Sequence, residues 1–297
     1  MDSYDRMTYV SAVMIALIAF IHLPAVEADW YGAWRAWGVD GICRLGVPWF
    51  FFASGVYFAR HIGEGGGWYG REIRKRVGGL LVPYFILNLI WFPCMLALNW
   101  IGTRYFAYPA NVTLSLGWIV KGLGFSPVDW PIVVPTWFLR ALFVVAVLCG
   151  AVWKVLRFNR ISALAVTAVF WGIFAAQRLW LPQAAEFCLF GVNLQGLALF
   201  SSGVLCSSGL APRTGATGNP VLRRMVWSVF ILHAPLLTLV LIPFKAFGGL
   251  GAFANPLCYF GVWFGLLVSS ALVGNLLRID RIRSLCGGNA KSPSGSY

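Results

Sequence analysis

Apolar runs long enough to cross a bilayer recur along this chain, and that recurrence limits its fold more than any motif does. A spanning helix needs about 20 apolar residues, with a working range of roughly 17 to 25. Eight segments read this way: Thr8–Ala25, Leu45–Ala59, Val77–Ile101, Thr136–Leu156, Ile161–Leu181, Phe187–Leu205, Val226–Phe244 and Leu257–Leu277. The second is short, and its start could fall as early as Gly41. Between them too little charge is left to solvate a globular surface. Only 11% of the 297 residues are charged and mean hydropathy is +0.75, where a soluble domain carries about 25% charged residues. A spanning barrel would show alternating strands of about ten residues, so helices remain. The expected fold is all-α: a polytopic bundle of about eight transmembrane helices forming one domain over residues 1–283, with 284–297 as a disordered tail.

The first run could also be a secretory signal. It has a single preceding base, Arg6, set against Asp2 and Asp5, and Val26-Glu27-Ala28 is a poor cleavage sequence. His22 within it further favours a retained anchor.

The formal charge of +13 does not indicate nucleic acid, because no basic run comes with base-stacking aromatics outside the apolar segments. It sorts by side instead. If the N-terminus is cytoplasmic, the inner segments hold sixteen bases: Arg6; Arg60, Arg71, Arg74, Lys75 and Arg76; Lys154, Arg157 and Arg160; Arg213, Arg223 and Arg224; Arg278, Arg281, Arg283 and Lys291. The outer segments hold six: Arg35, Arg44, Arg104, Lys121, Arg178 and Lys245. That is the positive-inside pattern, and it alternates correctly only for an even number of spans, so both termini are expected in the cytoplasm. Gly63–Gly70 and Ser207–Pro220 read as flexible inner connectors. The outer segment Gly102–Pro135, with Tyr105, Tyr108, Trp118 and Trp130, is expected to lie on the membrane surface. Asn111-Val112-Thr113 matches a short glycosylation pattern. The seven cysteines form no C-x-x-C with nearby histidine, and no metal site is expected.

Ionisable side chains inside a bilayer are costly and mark functional sites. Three stand out. His22 lies near the outer end of the first span, as a general base or as an interfacial histidine bonded to a carbonyl. Arg140, in Trp137-Phe138-Leu139-Arg140, could neutralise an anionic intermediate or pair with Glu27, Asp29 or Asp40. His233 lies nine residues past Arg224, about 13 Å deep at 1.5 Å per residue, and is expected to be neutral and bonded to another helix. On the inner side, Arg71-Glu72-Ile73-Arg74-Lys75-Arg76 could bind phosphates or simply anchor topology.

These segments, in this order, resemble the membrane-bound acyltransferase-3 family. The first span ends in a histidine, in Ala19-Phe20-Ile21-His22. The second reads Val47-Pro48-Trp49-Phe50-Phe51-Phe52-Ala53-Ser54-Gly55-Val56-Tyr57, similar to the family's VP-x-FF-x-x-SGY signature. A basic run precedes Pro83-Tyr84; then come Trp137-Phe138-Leu139-Arg140 and Phe230-Ile231-Leu232-His233-Ala234-Pro235. Gly287-Gly288-Asn289 is similar to the family's closing Gly-Gly-Arg. Two features depart from the pattern. Ser11 stands where many members carry a base eleven positions before the histidine, and eight spans fall short of the family's usual ten.

The resemblance implies transfer of an acyl group, commonly acetyl from acetyl-CoA, to a hydroxyl of a glycan or other envelope molecule, in a bacterial cytoplasmic (inner) membrane. It implies His22 as the catalytic residue, with Arg140 beside it. Arg71, Arg74 and Arg76 would hold the CoA donor, while Trp137, Arg44 and His233 would line the acceptor site, with membrane lipid as the other partner. A non-catalytic transporter or flippase of a glycan or lipid-linked precursor would use the same outer charges as a binding path, and stays open as the alternative.

Overall fold

The computed structural model describes residues 3–62, 65, 67–105, 115–122, 131, 133–156, 159–180, 193–207, 219–246 and 249–276. All regular structure among them is helical. The principal helices are α1 (Ser3–Ile21), α2 (Asp29–Trp34), α3 (Gly46–Ala59), α4 (Trp68–Arg76), α5 (Val82–Tyr105), α6 (Leu116–Gly122), α7 (Trp137–Leu156), α8 (Arg160–Trp180), α9 (Leu194–Ser207), α10 (Pro220–Ala246) and α11 (Pro256–Leu276). Six helical rods are long and apolar enough to cross a membrane: Asp29–Ala59, Trp68–Leu98, Trp137–Leu156, Arg160–Trp180, Pro220–Phe244 and Pro256–Leu276. Two further apolar helices, α1 with 19 residues and α9 with 14, pack among them. This is the architecture of a multi-pass helical membrane protein.

Surface polarity supports the same conclusion. Along α11 the exposed large apolar residues are Leu257, Phe260, Phe264, Val268, Leu272 and Leu276, while Tyr259, Leu266, Ser270 and Gly274 are buried. Steps of three and four residues keep each set on one helix face. The outward face is lined with large apolar side chains, unlike the polar outer face of a water-soluble helix.

Two rods differ from the expected spans. The segment between the first two spans, expected as an outer loop, is helical from Asp29 onward. A π-helical segment (Arg35–Ile42) and a 3₁₀ turn (Cys43–Leu45) join α2 to α3. Its charges are satisfied locally, with Asp40 3.6 Å from Arg35 and 3.1 Å from Arg44, so they interrupt hydropathy without interrupting the helix. Likewise α4 runs into α5 through a π-helical segment, Val77–Leu81. The basic run is therefore the first part of a rod rather than a connector ahead of it. The Asn111 pattern, the closing Gly287-Gly288-Asn289, the 284–297 tail, and most of the Gly102–Pro135 and Ser207–Pro220 segments lie outside the described residues.

Close packing depends on glycine. A Cβ on Gly55 of α3 would collide with the Phe200 carbonyl of α9, and one on Gly203 with the Phe52 carbonyl of α3. The two backbones therefore touch, as small residues permit where lipid gives helices no hydrophobic reason to associate. Gly46 does the same against α1, where a Cβ would stand 2.9 Å from the Met14 carbonyl. Indole N–H groups add long-range ties: Trp49 donates to Ser11 Oγ at 3.0 Å, and Trp263 to the Ala16 carbonyl at 2.9 Å.

The apolar core has two parts. One includes Ile18, Phe51, Phe58, Phe138, Trp153, Phe200 and Phe230. The other gathers Phe20, Leu23, Tyr31, Val39, Leu237, Phe253 and Tyr259 around the C-terminal end of α1.

Candidate functional site

His22 lies beside the second core cluster, among Phe20, Ile21 and Leu23 in the chain. It follows Ile21, the last residue of α1, and Pro24 two positions on cannot donate a helical N–H, so the helix stops and His22 is held in its final turn. Its ring faces His233 of α10, with centroids 5.2 Å apart and planes at 41°. His233 is fully buried, between Ile231 of one cluster and Leu237 of the other. Two residues beyond it Pro235 sits inside α10, which deprives the Ile231 carbonyl of its helical donor.

One hydrogen bond fixes the chemistry of His233. Its Nδ1 lies 2.8 Å from the Val229 carbonyl. A carbonyl can only accept, so Nδ1 carries the proton and the neutral ring presents a lone pair at Nε2. That Nε2 is buried and has no hydrogen-bond partner among the described residues. The expectation of a histidine bonded to another helix is therefore corrected: its partner is one turn back on its own helix, and its interhelical neighbour is the His22 ring. Among the described residues, no hydrogen bond occupies the ring nitrogens of His22.

Arg140 belongs to a second polar station. It stands 5.9 Å over the ring of Tyr84 and hydrogen-bonds its side chain. Asn88, fully buried on α5, builds the scaffold beneath. Its amide donates to the Tyr84 carbonyl (2.8 Å) and to Thr136 Oγ1 (3.0 Å), while its Oδ1 accepts from the Val133 N–H (3.0 Å). Those bonds pin the start of α7, and hence Trp137 and Arg140, to α5. Trp137 is half-buried, edge-on to Phe138. Phe138 in turn meets Phe230 at 5.9 Å. Counting 1.5 Å per residue from that contact, the Arg140 backbone lies roughly 7 Å deeper than that of His233. The described contacts thus tie His22 to His233 and Arg140 to Tyr84, rather than His22 to Arg140 directly. Asp40, considered as a partner for Arg140, pairs instead with Arg35 and Arg44. Arg44, expected at the acceptor site, is largely exposed on that surface ion pair.

The basic helix forms a third station. Arg71 and Arg74 are exposed. Arg76 is not: its side chain is 12% exposed, its Nε donates to Glu72 Oε1 at 2.9 Å, and its guanidinium lies 4.9 Å over the Phe58 ring. Glu72 is itself buried at 5% exposure. Lys75 lies 3.9 Å from Glu72 and 3.1 Å from His61 Nε2. Because Gly46 abuts Ile18 while Phe58 meets Arg76, the antiparallel α1 and α3 put this station about 24 Å along the bundle from His22. The two are at opposite ends.

Sequence reading missed Glu72 and Asn88. Asn88 left a signal, a lone polar residue within an apolar run. Glu72 left none, because an acid among four bases reads as solvated.

No family model matches the chain, and no curated protein or solved structure shows significant similarity to it.

Proposed function

We propose that the chain is a membrane O-acyltransferase, moving an acyl group, acetyl first among them, from acyl-CoA to a hydroxyl of a glycan or other envelope molecule. One observation carries the reading. At the end of α1 an imidazole whose ring nitrogens make no hydrogen bond among the described residues sits 5.2 Å from a buried second imidazole, in the segment order that resembles the acyltransferase-3 family. In this reading the basic end faces the cytoplasm with both termini, α1 and α9 complete eight spans, and the membrane is a bacterial inner membrane.

The chemistry follows from the groups present. His22 takes the proton of the acceptor hydroxyl as its oxygen attacks the thioester carbonyl. The C–O bond forms and the C–S bond breaks. The proton then passes from the imidazolium to the departing thiolate, restoring neutral His22. A histidine base contributes typically 10²- to 10⁴-fold. Arg140, held by Tyr84, answers the developing oxyanion from the deeper side. An axial offset of roughly 7 Å suits this division, since two hydrogen bonds of about 2.8 Å and a carbonyl of about 1.2 Å span a similar length. Trp137 offers an apolar face for a sugar ring.

The donor arrives at the opposite end, where Arg71 and Arg74 meet its phosphates. Arg76, paired with Glu72, shapes that surface rather than binding there. Ser11, where related sequences carry a base, bridges instead the Met7 carbonyl (2.8 Å) and the Trp49 indole (3.0 Å).

Turnover of labelled acetyl-CoA by purified protein in lipid nanodiscs tests the proposal. Wild type should transfer or hydrolyse the acetyl group, and His22→Ala should lose about 10²-fold or more with its melting temperature unchanged. Full activity in the alanine variant would remove His22 from the chemistry. Silence in the wild type would favour the transporter or flippase reading.

A further inference from the structure

Outside the assigned chemistry, the buried Nε2 of His233 is a lone pair with no donor among the described residues. Leaving a buried acceptor unmade costs free energy, and a donor that reaches this nitrogen would relieve that cost. The backbone determines which donor fits. The Val229 carbonyl already binds Nδ1–H at 2.8 Å, so the ring can neither flip nor change tautomer without losing that bond. One neighbouring ring able to donate is the imidazole of His22, at a centroid distance of 5.2 Å. His22 makes no hydrogen bond among the described residues, so its ring is free of that restraint in turning a nitrogen toward Nε2.

We infer that His233 is a positioning residue for His22: its Nε2 accepts the N–H of one His22 nitrogen, fixing the tautomer that leaves the other nitrogen as a lone pair toward the acceptor hydroxyl. When His22 takes the acceptor's proton, its imidazolium keeps this hydrogen bond, and His233 shares the charge without being protonated in net. The device resembles the carboxylate that orients a catalytic histidine, built from neutral parts that suit a low-dielectric site. It rests on the acyltransferase reading for its kinetic consequence but not for its geometry.

Two amides separate positioning from packing. His233→Asn keeps a donor near the Nδ1 position for the Val229 carbonyl and removes the acceptor at the ε position. His233→Gln places an amide oxygen near the ε position. With acetyl-CoA as probe and water as acceptor, the glutamine variant should retain at least about tenfold more turnover than the asparagine variant, with KM for acetyl-CoA unchanged in both. Asparagine equal to or better than glutamine would overturn the inference.

A second readout is independent of catalysis. The chain has three histidines, so ¹⁵N-histidine NMR of the full protein in nanodiscs can be assigned by single substitutions. His233 should show a protonated Nδ1 and an unprotonated Nε2, and His22→Ala should shift the Nε2 resonance. An Nε2 resonance unmoved by that change would overturn the inference even if turnover is normal. If wild type fails to turn over acetyl-CoA, the acyltransferase reading falls and the NMR result alone decides the histidine pair.

Discussion

The two ends of the bundle bury polar groups in opposite ways. At the basic end, Glu72 is nearly enclosed, but Arg76 bonds it at 2.9 Å and Phe58 roofs the guanidinium. At the histidine end, His233 is more deeply buried still, yet one ring nitrogen has no partner. Buried charge is tolerated when paired and hydrogen-bonded. An open neutral acceptor is cheaper than an open charge but gives the fold nothing in return. The first arrangement holds the protein together; the second is available to something else.

If that contrast is right, substitutions at the two ends should differ in kind. The largest effect is expected from Glu72→Ala, which strands Arg76 without its counter-charge. Melts of detergent-solubilised protein should show a loss of about 3–5 kcal/mol, and a loss near zero would mean that water reaches Arg76. Next comes Asn88→Ala at the Tyr84–Arg140 station. It leaves the Val133 N–H without its acceptor and should cost about 1–3 kcal/mol by the same melts; turnover should fall as Arg140 loses its footing. His233→Leu, at the other end, should change stability by about 1 kcal/mol or less, because an unsatisfied atom leaves along with a hydrogen bond. A cost as large as that of Glu72→Ala would erase the contrast. Smallest of all, Asp40→Ala should cost about 0.5 kcal/mol or less, since its pairs with Arg35 and Arg44 are solvent-exposed.

The sequence made the helical, membrane-embedded class legible, because composition alone rules out a solvated surface. Two span positions followed closely: Arg160–Trp180 and Pro256–Leu276 differ from their expected bounds by a residue at each end. It failed where charges pair within one helix. Arg35, Asp40 and Arg44 look like a loop to a hydropathy count, although i, i+4 pairing is a helical device. Among site residues, His22, Arg140 and His233 were visible as ionisable groups in apolar runs. Their grouping was not, since His22 and His233 are distant in sequence and no local pattern links them. Arg76 looked like its neighbours Arg71 and Arg74 because burial is a property of the fold, not of a basic run.

The widened turn at Val77–Leu81 has a consequence for how this chain tolerates change. Each hydrogen-bonded ring there encloses one residue more than an α-helical ring does, and Gly78 and Gly79 lie within it. Loss of a single residue from the stretch would tighten the turn to ordinary α geometry while Tyr84 and Asn88 keep the faces they now present. The same loss at Val82 or Pro83, in ordinary α geometry, would swing both side chains about 100° around the axis. A one-residue deletion at the wide turn should therefore leave the polar station beyond it undisturbed.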